Sequence, residues 1–258
     1  MMKHASRQYW YELYVFHTTL SPKAQQSLRN SLKEFTHTEL HFIDVTQYNE
    51  KIKNFGTKAH YSKEIFYKLI ATDVLPQYDR IICSDVDVVF TGDFSPVFFM
   101  FPNEKFYYAG VGPVENSRMP YYRKDFSTTE MEILEHEIAA GFLLINLKEL
   151  RNDHKQEEII NFYVNNYPRL RLPEQDCIIL TCWPYIKYLP IDYSLPISFY
   201  RLNMNQRDFY QGNTEFAGDK ATALAKFNKG IGTSRTNSLC RFRQTVELFP
   251  AHPDGKTG

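Results

Sequence analysis

Residues 80–93 read Arg80-Ile-Ile-Cys-Ser-Asp85-Val-Asp87-Val-Val-Phe-Thr-Gly-Asp93. A run of strand composition leads straight into an Asp-x-Asp pair. In an extended backbone, residues two apart point to the same side, so Asp85 and Asp87 converge on one hard cation while Val86 faces away. Open α/β sheets bind ligands beyond the carboxyl ends of their strands, and the pair falls at such an end. Thirteen aspartates in 258 residues supply roughly 0.65 such pairs by chance, so the context has to decide. Ile81, Ile82 and Cys83 before the pair, with Val88, Val89 and Phe90 after it, predict a buried segment. Carboxylates left without partners there would cost several kcal/mol. A solvated turn with two incidental aspartates is the bland alternative.

Outward from this stretch, strand and helix signals alternate. Tyr11 to His17 alternates as a strand, Ser21-Pro22 supplies the cap and first-turn proline of a helix running to about Phe35, and Thr38 to Asp44 reads as the next strand. A helix from near Ser62 sets Ile65, Phe66, Leu69 and Ile70 on one face and ends before Pro76. Ser95-Pro96 opens another helix. Phe106 to Val111 and Ala139 to Leu147 read as strands, the second followed by a helix through about Tyr163. Such alternation predicts an α/β fold, a mostly parallel sheet with helices on both faces.

Composition narrows the function. A formal net charge of +0 excludes a general electrostatic attraction to nucleic acid, which needs a strongly basic domain. Cys83, Cys177, Cys182 and Cys240 have no Cys-x-x-Cys spacing and no nearby His pair, so neither a zinc site nor a disulfide framework is indicated. No apolar run approaches the ~18 residues of a membrane span. The N-terminus lacks the features of a signal peptide, and a cytoplasmic location is expected. Tyrosine and phenylalanine are abundant, and their commoner role is filling a core.

Residues 1–219 are expected to form the α/β domain and residues 220–258 a basic, disordered tail. From Lys220 to Val246 the chain carries Lys220, Lys226, Lys229, Arg235, Arg241 and Arg243 and no acidic residue. A solvated tail is the plain reading. Peripheral contact with the anionic inner face of a membrane is the sharper one.

Four segments, Ile65-Phe-Tyr-Lys68-Leu, Ser84-Asp85-Val-Asp87 with Gly92-Asp93 after it, Ala140-Gly141-Phe-Leu-Leu-Ile-Asn146, and Glu174-Gln175-Asp176, resemble in order and spacing the family 8 glycosyltransferases. The resemblance covers roughly Tyr11 to Tyr210. It implies the GT-A fold, retaining transfer of a hexose from a UDP-sugar to a saccharide acceptor, and kinship with bacterial lipopolysaccharide galactosyl- and glucosyltransferases, whose acceptors are lipo-oligosaccharides. It makes Asp85 and Asp87 the holders of Mn²⁺, or Mg²⁺, on the donor diphosphate, where a divalent cation acts as a Lewis acid. It sets Lys68, Val86 and Gly141 beside the donor. A lysine at 68, where the family usually has arginine, keeps the charge but loses the bidentate fork. Glu174 is implied to hold donor-sugar hydroxyls and Gln175 to sit beneath the anomeric carbon, supporting an oxocarbenium-like transition state. Alone, these two residues would read as an acidic first turn after Pro173.

The chain also departs from the family. Ala139 stands where asparagine is common and Pro113 near a position that is often aspartate, which leaves the donor sugar open. Tyr11 to His17 looks like the family's second strand. The usual C-terminal His-x-x-Gly-x-x-Lys-Pro-Trp is absent, leaving only His252 in an unrelated context. Missing termini imply impaired turnover, and an inactive transferase core acting as a binding module is the competing class. A haloacid-dehalogenase-type phosphatase is a third reading, with Asp85 attacking phosphorus and Asp87 as acid/base. Gly218-Asp219 lacks the second carboxylate which that chemistry needs.

Overall fold

The computed structural model describes residues 1–52, 63–112, 122, 124–193 and the backbone of 243–250. The described strands are β1 (Tyr9–His17), β2 (Thr38–Asp44), β3 (Arg80–Ser84), β4 (Tyr108–Val111), β5 (Phe142–Asn146), β6 (Ile186–Leu189) and β7 (Arg243–Pro250). They form one sheet in the order β2-β1-β7-β3-β5-β4-β6. β1, β2, β3, β4 and β6 run one way, and β5 and β7 oppose them. The described helices are α1 (Pro22–Leu32), α2 (Ala71–Val74), α3 (Thr128–Leu134), α4 (Leu147–Asn152), α5 (Lys155–Asn166) and α6 (Pro173–Cys182).

Burial on both faces explains why the central strands are apolar without alternation. Every residue of β5 is buried. Ile81, Cys83, Leu143 and Ile145 point to one side and pack with Ile159, Ile160 and Tyr163 of α5 and Cys177, Ile178 and Ile179 of α6. Ile82, Phe142 and Leu144 point to the other, with Leu13 and Val15 of β1 and the half-buried Leu28 and Leu32 of α1. α1 starts as its sequence directs, Ser21 Oγ accepting from the Ala24 amide at 3.2 Å with Pro22 following. α3 starts on a capping box, Ser127 N–H donating to Glu130 at 2.8 Å and Glu130 N–H returning a bond to Ser127 at 3.3 Å.

Three local expectations change. Lys63–Ile70 is a 3₁₀ segment continuing into α2 instead of one α-helix, and the expected start near Ser62 lies outside the described residues. The helix expected after β5 is divided into α4 and α5, because His154 takes a left-handed backbone at φ 52°. Residues 243–250, read from sequence as part of a basic tail, form the central strand β7. The register sets Val246 between Leu13 of β1 and Ile82 of β3. β1 and β3, both pointing the same way, are one strand apart, and their facing amides and carbonyls need partners. Thr245, Val246, Leu248 and Phe249 have the composition of a strand. Residues 220–242 and 251–258, including His252, lie outside the described residues.

Proline at 246 removes an N–H that a central strand must donate, whichever neighbour receives it. Val246→Pro is expected to lower stability by about 3 kcal/mol in urea denaturation. An unchanged midpoint would contradict the central position of β7.

Candidate functional site

β3 ends at Ser84, its last residue paired with β5, and the Asp85 amide adds one more bond to the Gly141 carbonyl at 2.8 Å. Beyond this the chain turns. Asp85, Val86 and Asp87 therefore lie in a turn past the strand and not within it, so the strand geometry expected for the pair is corrected. Val86 is 37% exposed and Val89 52%, and the buried segment ends at Ser84. Asp85 is half-buried and Asp87 exposed.

The 3₁₀ segment brings Lys68 to this edge from below. Its side chain is closed to solvent, and the ammonium donates to the Ala140 carbonyl and lies 2.9 Å from Asp85 Oδ1 and 3.5 Å from Glu174 Oε1. An ordinary surface lysine, the plain reading of its sequence, is thereby excluded. Pro173 opens α6, and the first turn supplies buried Glu174 and half-buried Gln175. Gln175 Oε1 accepts from the Ala140 amide at 3.1 Å.

Ala139 to Gly141 is thus held at every residue: Ala139 N–H on the Val111 carbonyl at 2.8 Å, both polar groups of Ala140 on Gln175 and Lys68, and the Gly141 carbonyl on Asp85. A Cβ at Gly141 would meet Asp85 Oδ2 at 3.7 Å, an ordinary contact, so glycine here leaves room beside that oxygen without being forced. A cavity of about 350 Å³ runs from Asp85 and Val86 beneath α1, lined also by Leu13, Val15, Leu32 and Phe90.

Lys68, Asp85, Gly141, Glu174 and Gln175 therefore meet at one place, while Val86 and Asp87 face solvent on the same turn. The carboxylate oxygens of Asp85 and Asp87 are hard donors of the kind Mn²⁺ and Mg²⁺ take. Among the described residues no group of three or more His, Cys, Asp or Glu gathers to hold a metal. A cation held by this pair would have to take its other ligands from substrate and water.

Behind the site, residues that sequence reading did not assign hold α6 in place. Asp176 Oδ1 accepts from Tyr122 at 2.7 Å, and Oδ2 from the Arg171 and Leu172 amides at 2.5 and 2.9 Å. Buried Glu137 hydrogen-bonds the same carboxyl. Asp176 was visible in its motif, but Tyr122 and Glu137 are distant in sequence and carry no signal. Burial, the largest influence, raises the Asp176 carboxyl above its ordinary value of 3.8, against these hydrogen bonds, which lower it. A carboxyl raised on folding contributes stability that is complete below its unfolded value and is lost as pH rises through its folded value. The stability of the native chain relative to Asp176→Asn should therefore fall as the pH rises above about 4, the ordinary carboxyl range of the unfolded chain, read from urea midpoints. A gap that is constant or widens with pH would contradict a buried, upward-shifted carboxyl.

The family model of Glycosyl transferase family 8 matches residues 1–217. No curated protein sequence matches the chain. Among solved structures it is similar to the WbbM bifunctional glycosyltransferase in its apo form, at 18% identity over 87% of this chain and 40% of that one, with a TM-score of 0.64. It is also similar to the galactosyltransferase LgtC in complex with donor and acceptor sugar analogues, at 17% identity over 82% of this chain and 71% of that one, TM-score 0.59. Mouse xyloside xylosyltransferase 1 in its apo form is 14% identical over 78% of this chain and 79% of that one, TM-score 0.52. The chain spans about two-fifths of the length of the WbbM structure. At these identities the likeness shows the fold, a GT-A-type α/β sheet with helices on both faces. The family match covers most of the sequence, and the chain belongs to glycosyl transferase family 8.

Proposed function

We propose that the chain transfers a hexose from a UDP-sugar to a saccharide acceptor, with retention at the anomeric carbon and with Mn²⁺ or Mg²⁺ on the donor diphosphate. The observation that carries this reading is the convergence of Lys68, Asp85, Glu174 and Gln175 on the backbone of Ala139 to Gly141, at the carboxyl edge of the sheet. Family membership supports the reaction class and displaces the phosphatase reading of Asp85 and Asp87.

In this reading Asp85 and Asp87 would hold the cation, which when bound neutralises charge on the departing nucleoside diphosphate. Exposed Val86 lines the donor's path, and Gly141 leaves room beside Asp85. Glu174 bonds sugar hydroxyls. Gln175 is oriented by the Ala140 amide, which occupies one lone pair of its side-chain oxygen; the second is free to support positive charge at the anomeric carbon. Fixed dipoles of this kind lose nothing to reorganisation when charge develops.

A binding module without turnover is the second reading, favoured by the absence of a third metal-ligating side chain beside the pair among the described residues. Slow hydrolysis of a UDP-hexose separates the two. The finer assignments, a lipo-oligosaccharide acceptor, a cytoplasmic location and contact of the basic segment with anionic membrane, rest on the family resemblance and on composition. No described helix is long and apolar enough to cross a membrane.

Replacing Asp85 and Asp87 together by alanine is expected to abolish Mn²⁺-dependent UDP binding in calorimetry. Binding that survives would remove the pair from the site. Gln175→Ala is expected to slow UDP-hexose hydrolysis by about 10²-fold while leaving UDP affinity in place. Equal loss of UDP affinity would assign Gln175 to binding instead.

A further inference from the structure

We propose that Tyr188, held in place by His136 and Trp183, forms an outer acceptor subsite, an aromatic platform on which a further sugar unit of a saccharide chain stacks. This rests on the acceptor being a saccharide, and it goes beyond that reading by saying where the part of the chain remote from the transfer point lies.

The platform is built at the edge of the sheet. β6 is an edge strand, and Tyr188 on it is 38% exposed. Its hydroxyl lies 3.2 Å from His136 Nδ1 and donates to the His136 carbonyl at 3.4 Å. The His136 ring is in turn stacked on Trp183, with centroids 3.9 Å apart and planes 8° from parallel. Trp183 is half-buried and packs against the core cluster that holds Cys177 and Ile178 of α6. An exposed ring fastened at its polar end has already lost much of the freedom that binding would otherwise remove. It offers an apolar face to the C–H face of a sugar, and the phenol and imidazole beside it offer hydrogen bonds to the sugar's hydroxyl groups.

The register sets the platform's place relative to the transfer edge. Ser84 pairs with Phe142, Leu143 with Gly110 and Val111 with Leu189, so Ser84 and Leu189 stand level on the sheet. Three strand spacings separate them, about 14 Å, with Tyr188 one residue behind Leu189. Tyr188 shares a face of the strand with Ile186, which packs in the same cluster as α6. Glu174 and Gln175 reach the edge from the first turn of that helix. The platform and these two side chains therefore belong to one face. The backbone joins them as well, since His136 lies just before the Ala139 to Gly141 loop. That segment is pressed against the end of β4, where a Cβ at Gly112 would come within 2.6 Å of the Glu137 carbonyl oxygen. A saccharide with one end at Gln175 that runs along this edge passes Tyr188 a few sugar units later.

Short acceptors are then indifferent to Tyr188, and longer ones depend on it. A role in folding alone would weaken binding of every length alike.

The test titrates the full chain by calorimetry with galacto- and gluco-oligosaccharides from mono- to pentasaccharide, without donor and again with UDP and Mn²⁺. Affinity is expected to rise roughly tenfold once the saccharide is long enough to reach the platform, the worth of one stacked ring. In Tyr188→Ala and Tyr188→Leu it should stay flat with length; the second variant keeps apolar bulk on the strand should the first not fold. Tyr185→Ala is the control. Tyr185 is 41% exposed, but its ring lies against Tyr107 and Lys105, before the start of β4 at the opposite edge, so the rise should persist. Trp10 and Trp183 are the two tryptophans, and Trp10→Phe leaves Trp183 as the sole indole. Its emission should change with the longer saccharides and not with monosaccharides, a readout that needs no change at Tyr188. No rise with length in the native chain, a rise that survives loss of the Tyr188 ring, a rise lost equally in Tyr185→Ala, or Trp183 emission indifferent to a bound long saccharide overturns the proposal. Absence of UDP-hexose hydrolysis is a different failure, which removes the transfer reading and is seen separately from saccharide binding.

Discussion

One lysine ammonium, sealed from water, is shared among the Ala140 carbonyl, Asp85 and Glu174. A buried charge whose partner is removed costs about 3–5 kcal/mol, so segments far apart in sequence have to arrive at the same place. The 3₁₀ segment sets the height of Lys68, the end of β3 sets Asp85, and Pro173 sets the turn of α6 that carries Glu174 and Gln175. The loop before β5 closes the arrangement, with both polar groups of Ala140 engaged. Little of the site is free to move unless the ammonium moves with it.

That arrangement needs a rigid edge beneath it. β3 and β5 supply it by pairing through Ser84 and Phe142, with side chains buried on both faces. β7 completes the edge by joining β1 to β3 across a gap of one strand. Glu12 of β1 links the same two strands from the side, accepting from Tyr14 at 2.6 Å and from Tyr78 just before β3. Burial, with these contacts, pushes the Tyr78 hydroxyl up to about 12, so it donates throughout the physiological range.

Much of this was legible in the sequence, for physical reasons that differ by residue. α1 could be read because Ser21 and Pro22 act on the backbone locally, and β2 because its bounds follow local composition. The order of the four motifs pointed to the family because their spacing survives where identity does not. Lys68 was legible as a charge near the site, but its burial was not, since the groups that compensate it come from residues 85, 140 and 174. The turn at Asp85 to Asp87 was misjudged because nothing local shows that β3 loses its partner after Ser84. β7 was missed because its basic flank outweighed four strand-forming residues, and the need for a partner between β1 and β3 is a property of the assembled sheet. Tyr122 and Glu137 had no local signature, being recruited by a carboxyl far along the chain.

The account stands on the claim that this edge works on a sugar nucleotide with retention. The most direct measurement follows the anomeric proton by nuclear magnetic resonance while the chain is incubated with α-linked UDP-hexoses and Mn²⁺. The account predicts slow release of UDP, with the hexose appearing first as the α anomer before mutarotation. Release of the β anomer first, or no release of UDP from any of UDP-glucose, UDP-galactose and their N-acetyl forms, would contradict it.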